Sequence, residues 1–231
     1  MKTLDAIKSR KSIRAYTNKD ISNQTVKNLI QIAGKTPSYA STQPWKVYVA
    51  KGRKLKQLKA LWQRRLSKSS DLYASGSGNG TNSDISGPSK QALKNMPDFT
   101  KNTQEWLDHR LKVTGISNQQ YRDLSGRQVP TFYGAPVVVY LCVSQYASKY
   151  SYYDLGAFGQ TLMLAAKDQE IDSLAAYTNV MFGDILHQNL NIPDDLKIVI
   201  GICLGYEEKN NLLNKPRAQH LSTDQYLKII S

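Results

Sequence analysis

Cysteine, histidine and long apolar runs are what this chain has least of. There are two cysteines and three histidines in 231 residues. Cys142 and Cys203 each lie inside an apolar run, so they read as small buried hydrophobes and not as a disulfide or a metal pair. That usage fits a reducing cytoplasm. His109, His187 and His220 are far apart in sequence and form no recognisable triad or metal set. No apolar run approaches the roughly 20 residues that a membrane-spanning helix needs. Met1-Lys2-Thr3-Leu4-Asp5 has no apolar core of a leader peptide, which argues against secretion. Acidic residues are also scarce, but only at one end. Residues 1–70 carry 17 Lys and Arg against 2 Asp and Glu, whereas residues 71–231 carry 14 against 16. The net charge of +13 therefore belongs to the first third, and it points to an anionic partner: nucleic acid, an acidic surface or a phosphate-bearing cofactor.

What is present is globular. Forty per cent hydrophobic and 21% charged residues exclude wholesale disorder, and the length suits one domain, with no internal repeat. Residues 69–89 are rich in Ser, Gly, Asn and Thr and poor in large apolar side chains, which predicts a flexible loop and not a linker. Gly76-Ser77-Gly78-Asn79-Gly80 has neither the preceding strand nor the following helix of a phosphate loop. Around it the pattern is mixed. Short helical signals run over Thr3–Ser9 and from the Ser22 cap to Gly34. Trp45–Ala50 alternates like a strand, and Arg53–Lys68 is an amphipathic helix with Leu55, Leu58, Leu61, Trp62 and Leu66 on one face. Residues 101–125 are helical in part. Val137–Val143 and Ile198–Leu204 read as buried strands, and Asp154–Gln169 and Asp184–Leu190 as helices. Strands and helices at uneven spacing predict an α+β or α/β layer fold.

Three segments could carry chemistry. Arg10-Lys11-Ser12-Ile13-Arg14 follows a short helix, and in extended backbone positions 10, 12 and 14 project to one side. Guanidinium forks with a hydroxyl suit a phosphate. Thr36-Pro37-Ser38-Tyr39-Ala40-Ser41-Thr42-Gln43-Pro44-Trp45 is a polar loop stiffened by two prolines, able to hydrogen-bond a heterocycle or a polyol. Asn214-Lys215-Pro216-Arg217 again pairs Lys with Arg. Taken alone, each is more readily a solvated turn or a plain connecting loop.

In this order the three segments resemble the FMN-dependent nitroreductase family. Arg-Lys-Ser-Ile-Arg-Ala-Tyr at 10–16 resembles its basic N-terminal motif, and Pro-Ser…Gln-Pro-Trp at 37–45 its second signature. Asp154-Leu155-Gly156…Gln160-Thr161-Leu162…Ala165-Ala166, Ile192-Pro193-Asp194, Leu204-Gly205-Tyr206 and Lys215…Arg217 resemble its C-terminal half. Tyr133-Gly134-Ala135-Pro136 is closest to the nitrobenzoate-reductase-like branch. The resemblance leaves out roughly residues 51–125.

The resemblance implies an α+β fold, a central mostly antiparallel sheet flanked by helices, and an intertwined homodimer with FMN at the subunit interface. It implies that Arg10, Ser12 and Arg14 hold the phosphate and the polar edge of the flavin, with Lys11 nearby and Lys215 and Arg217 closing on the phosphate. Pro37, Ser38, Ser41 and Gln43 would contact FMN from the other subunit. The backbone at Tyr177 and Thr178 would lie near flavin N5, and Gln128 near the pyrimidine edge. Ser41 stands where the family usually has Asn. The implied activity is ping-pong hydride transfer from NADPH or NADH, through the flavin, to a nitroaromatic, a quinone or a similar small acceptor, with no protein acid or base required. Trp106 and Tyr121 are candidates to cover the flavin face. Two rival readings remain: a nucleic-acid or anionic-surface binder using the basic helix 53–68, and a flavin-binding or flavin-remodelling protein on the same fold.

Overall fold

A computed structural model of the chain describes residues 2–68, 81–85, 87 and 90–230. Most of the Ser/Gly/Asn-rich stretch, 69–80 with 86, 88 and 89, lies outside the described residues.

The continuous apolar run Val137–Ser144 (β2) sets the architecture. Every side chain from Val137 to Val143 is fully buried, so both faces of this strand are covered. It pairs antiparallel with Lys46–Lys51 (β1) on one side and Leu196–Gly205 (β4) on the other. Asp172–Ala176 (β3) pairs antiparallel with β4, which gives the order β1-β2-β4-β3.

Period-2 alternation along β2 feeds two cores. Val138, Tyr140 and Cys142 face Gly52–Ser67 (α3) and Gly183–Leu190 (α8), with Leu55, Leu58, Trp62 and Leu186 opposite. Val137, Val139, Leu141 and Val143 face Asn23–Ala33 (α2) and Lys149–Asp168 (α7), with Leu29, Leu155, Phe158 and Leu162 opposite. A register shift after Leu141 changes the parity of β4, so that Ile198 serves the first core and Ile202 the second. The result is an α+β three-layer arrangement, as expected. Thr3–Ser9 (α1) packs on α7. Lys90–Lys94 (α4), Pro97–Thr114 (α5) and Asn118–Gln128 (α6) follow, and α6 touches the short turns Val129–Gly134 and Leu212–Asn214.

Local signals explain most ends. The Ser22 hydroxyl accepts from the Thr25 amide and starts α2. Gly34 stops it where expected, but with an ordinary φ of −63° and not in the left-handed form. Gly115, at φ 69°, ends α5 in the left-handed form. Two elements differ from the sequence reading. β3 (Asp-Ser-Leu-Ala-Ala) has no β-branched residue to announce it; pairing with β4 imposes it. α7 begins at Lys149, five residues earlier than expected, because Ser148 and not the Asp154 region caps it. Asp154 is buried and accepts from the Tyr39 amide at 3.0 Å.

Candidate functional site: a cationic pocket at the N-terminal basic segment

The basic segment leaves α1 at Arg10 in extended backbone. Ser12 bridges to Ser173 on β3, and the Ile13 amide donates to the Ser173 carbonyl at 3.1 Å. Ile13 is fully buried. Alternation therefore turns Ser12 and Arg14 the other way, as the sequence predicted.

The C-terminal basic motif is brought to this segment by Asn214, which is 1% exposed. Its Oδ1 accepts from the Arg14 amide at 2.7 Å and the Ala15 amide at 3.1 Å. Its Nδ2 donates to the carbonyls of Ala15 at 2.8 Å and Glu208 at 3.1 Å. Lys11 Nζ donates to Glu207 Oε1 at 2.6 Å and to the Asn214 carbonyl at 3.1 Å. Lys11 is thus spent on the scaffold as much as on the site.

The outcome is a pocket of about 510 Å³ whose walls include Arg10, Lys11, Ser12, Arg14 and Arg217. Lys8, Trp106 and His220 also line it, and among the described residues no carboxylate does. Arg14 lies 5.6 Å from the centre of the Trp106 ring, and its Nη1 donates to the Ser12 carbonyl at 3.3 Å. Such a concentration of cationic donors, with Lys11 held by Glu207, is the chemistry of an anion site.

The other predicted residues lie elsewhere. Lys215 is exposed and is not in the pocket wall, nor is Gln128, the last residue of α6. Tyr177 and Thr178 form a tight turn after β3 that is gripped from three directions. Trp62 Nε1 donates to the Thr178 carbonyl at 3.2 Å, the Tyr133 hydroxyl meets Thr178 Oγ1 at 2.8 Å, and the Tyr177 hydroxyl meets Thr81 Oγ1 at 3.0 Å. Burial pushes the Tyr133 hydroxyl up to about 12 against the pull of Thr178, so it stays protonated. The turn Tyr39–Ser41 packs on α7, and Pro37, Ser38, Ser41 and Gln43 are not among the residues that line the pocket. Ser38 Oγ accepts from the Gln43 amide at 2.9 Å, and Ala40, Ser41 and Gln43 all have positive φ. Tyr121, a candidate flavin cover, is instead buried under the Arg110 guanidinium, 4.2 Å from its ring centre. Burial raises both thiols, Cys142 and Cys203, to about 12, which makes them inert.

Against known families, the description "Nitroreductase family" matches residues 7–206. The chain belongs to the nitroreductase family. Relatives include a 4-nitrobenzoate reductase of Pseudomonas putida, 28% identical over 91% of this chain and 88% of its own. Another 4-nitrobenzoate reductase, from Nocardioides sp., is 26% identical over 90% of this chain and 82% of its own. In fold the chain is similar to an FMN- and NADPH-dependent nitroreductase from Sphigopyxis sp. strain HMH, with a TM-score of 0.86, 19% identity and full coverage of both chains. It is also similar to an FMN-dependent nitroreductase of Mycobacterium smegmatis solved with NADPH, at TM-score 0.77, 22% identity and 99% and 98% coverage.

Within this nitroreductase fold, sequence reasoning missed Asn214 as the clasp of the pocket, along with Lys8, His220 and the receiving Ser173. A lone Asn in a polar loop carries no local signal of burial. Only the pairing of two segments about 200 positions apart makes it a hub.

Proposed function

We propose that this chain is an FMN-dependent NAD(P)H oxidoreductase that reduces nitroaromatics, quinones or similar electron-poor acceptors. One observation carries the reading: five residues predicted to hold the cofactor line one pocket that brings together cations and a hydroxyl, with no carboxylate lining it among the described residues. That donor set fits a phosphate monoester. Arg10, Ser12, Arg14 and Arg217 would bind the phosphate and the polar edge of FMN, with Lys11 tied to Glu207 beside them. When bound, the flavin supplies hydride acceptance from a reduced nicotinamide and hydride donation to the acceptor. The chain's own work is placement. The Asn214 clasp fixes Arg14, Trp62 and Tyr133 hold the turn at Tyr177 and Thr178, and the fixed positive charge favours an electron-rich ligand. Trp106 would wall the ligand from water.

The chain would act as one domain over residues 1–231 and as a homodimer. Pro37, Ser38, Ser41 and Gln43 do not line their own chain's pocket, which suits a role in the partner's. Among the described residues Tyr226, Ile229 and Ile230 of the C-terminal tail are 70%, 83% and 91% exposed, and β1 is an edge strand. No helix among the described residues is long and apolar enough to cross a membrane. The inert buried thiols suit the reducing cytoplasm. The nucleic-acid alternative is weaker: α3 commits its apolar face to the core, and Arg65 is paired with Asp184 at 2.7 Å.

The test is the visible spectrum of the purified protein. Flavin bands near ~370 and ~450 nm should bleach with anaerobic NADPH and return with a nitroaromatic or quinone. A colourless protein that takes up no added FMN would overturn the reading. A yellow protein without turnover would move the function to flavin binding or remodelling.

A further inference from the structure

A second site of ionisable groups lies at a cavity of about 630 Å³ beside α8, away from the cationic pocket. Its centre is His187. One ring nitrogen, Nδ1, lies 2.9 Å from the Ile192 carbonyl, and the other, Nε2, lies 2.9 Å from Asp84 Oδ2. A carbonyl and a carboxylate only accept, so both ring nitrogens must carry a proton to make both bonds. The same Asp84 oxygen also accepts from the Ile198 amide at 2.7 Å.

The charged groups around His187 agree. Asp84 faces it from the 81–85 segment, and Asp194 faces it from the turn before β4, with Oδ1 4.0 Å from Nδ1. Asp184, on α8 itself, is committed to Arg65 of α3, and Lys197 of β4 lines the same cavity. Burial works against the imidazolium, but the Ile192 carbonyl and the Asp84 carboxylate outweigh it, so the net shift is upward.

Asp84 is not an isolated partner. It lies in residues 81–85, a short strap within the Ser/Gly/Asn-rich stretch. Thr81 meets the Tyr177 hydroxyl, the Asn82 amide donates to the Met181 carbonyl at 3.1 Å, and Asp84 joins α8 to β4. The strap lies flat on Gly183. A Cβ there would come within 2.8 Å of the Asn82 carbonyl oxygen and 2.9 Å of Asp84 Oδ1.

We propose that Asp84 and His187 are positioning residues. Doubly protonated His187 clamps Asp84, the clamp holds the 81–85 strap on Gly183, and Thr81 thereby fixes the Tyr177 hydroxyl; loss of the proton releases the strap and loosens the Tyr177–Thr178 turn. The catalytic part rests on the reading above that this turn adjoins the flavin. The strap part does not.

The experiment uses the purified full chain, loaded with FMN. Three histidines make ring-nitrogen NMR assignable with His187→Gln as the reference. His187 should carry both protons at about pH 6 and titrate above the ordinary imidazole value of about 6.5. Amide exchange of 81–85, corrected for intrinsic rates, should accelerate about tenfold as pH rises through that midpoint. Asp84→Asn should lower the midpoint and open the strap already at about pH 6. Gly183→Ala leaves both ionisable groups in place and should open it at every pH. In steady state with NADPH and 4-nitrobenzoate, kcat/KM should fall through the same midpoint in the parent and lose that inflection in Asp84→Asn. A singly protonated His187 at about pH 6, or unchanged strap exchange in both variants, would overturn the clamp. A clamp that behaves as expected while kcat/KM keeps its profile would overturn the positioning role. NMR and exchange need no flavin, so failure of the FMN reading registers separately, as a colourless protein.

Discussion

The carboxamide oxygen of Asn214 accepts the backbone N–H of Arg14 at 2.7 Å, across 200 positions of sequence. That bond makes one pocket from two basic motifs. Asn214→Ala would leave the amides of Arg14 and Ala15 and the carbonyl of Ala15 without their buried partner. A stability loss of about 2–3 kcal/mol is expected in urea unfolding, with weaker FMN retention in the folded fraction. Unchanged FMN affinity in a destabilised variant would separate the clasp from the site.

Arg14 and Arg217 approach the pocket from opposite ends of the chain. Arg14→Ala and Arg217→Ala should each weaken FMN binding by about 1.5–3 kcal/mol, the range for a hydrogen bond to a charged group. Equilibrium titration of the apoprotein measures this. Two variants that bind FMN as the parent does would remove the phosphate from this pocket.

Trp62 is fully buried, and its Nε1 holds the Thr178 carbonyl. Trp62→Phe keeps most of the packing against Phe132 and Phe182 but drops that donor, at a cost of about 1–2 kcal/mol. Trp62→Ala adds a cavity and should cost about 3–5 kcal/mol. If Thr178 lies by the flavin, Trp62→Phe also lowers kcat more than its stability loss explains.

His187 predicts a pH dependence of stability. Its folded value is raised, so its contribution is fully present below the unfolded value of about 6.5 and is lost as pH rises through the folded value. Unfolding free energy should therefore fall across that window in the parent. Asp84→Asn should flatten the fall, and a parent whose stability rises there would contradict the sign.

Ser41 has a φ of 57°, in the left-handed region that Asn enters more easily than Ser. Ser41→Asn should therefore stabilise the loop by less than about 1 kcal/mol while restoring an amide to a proposed FMN contact. Thermal unfolding with and without FMN separates the two effects. A destabilised variant would mean that this loop conformation rests on Ser41 itself.

The exposed tail carries the dimer prediction. Deleting residues 221–231 removes Tyr226, Ile229 and Ile230 and should shift sedimentation from dimer towards monomer, with loss of FMN. An unchanged dimer would place the interface elsewhere.

Periodicity and composition by themselves determined the two-sided burial of β2, the inward faces of α2, α3 and α7, the inert cysteines and the basic pole of the chain. These are local consequences of side-chain spacing, and each residue reports its own environment. Arg10, Ser12, Arg14 and Arg217 came from the family resemblance and not from charge clustering, which by itself marks a solvated turn more readily than a site. Tertiary structure alone decided the rest. β3 exists because β4 offers it a ladder. Asn214 is a hub because two distant segments meet there, and the 81–85 strap is held because His187 and Ile198 wait for Asp84. In each case the deciding hydrogen bond joins residues distant in sequence, and local spacing carries no record of such a partner.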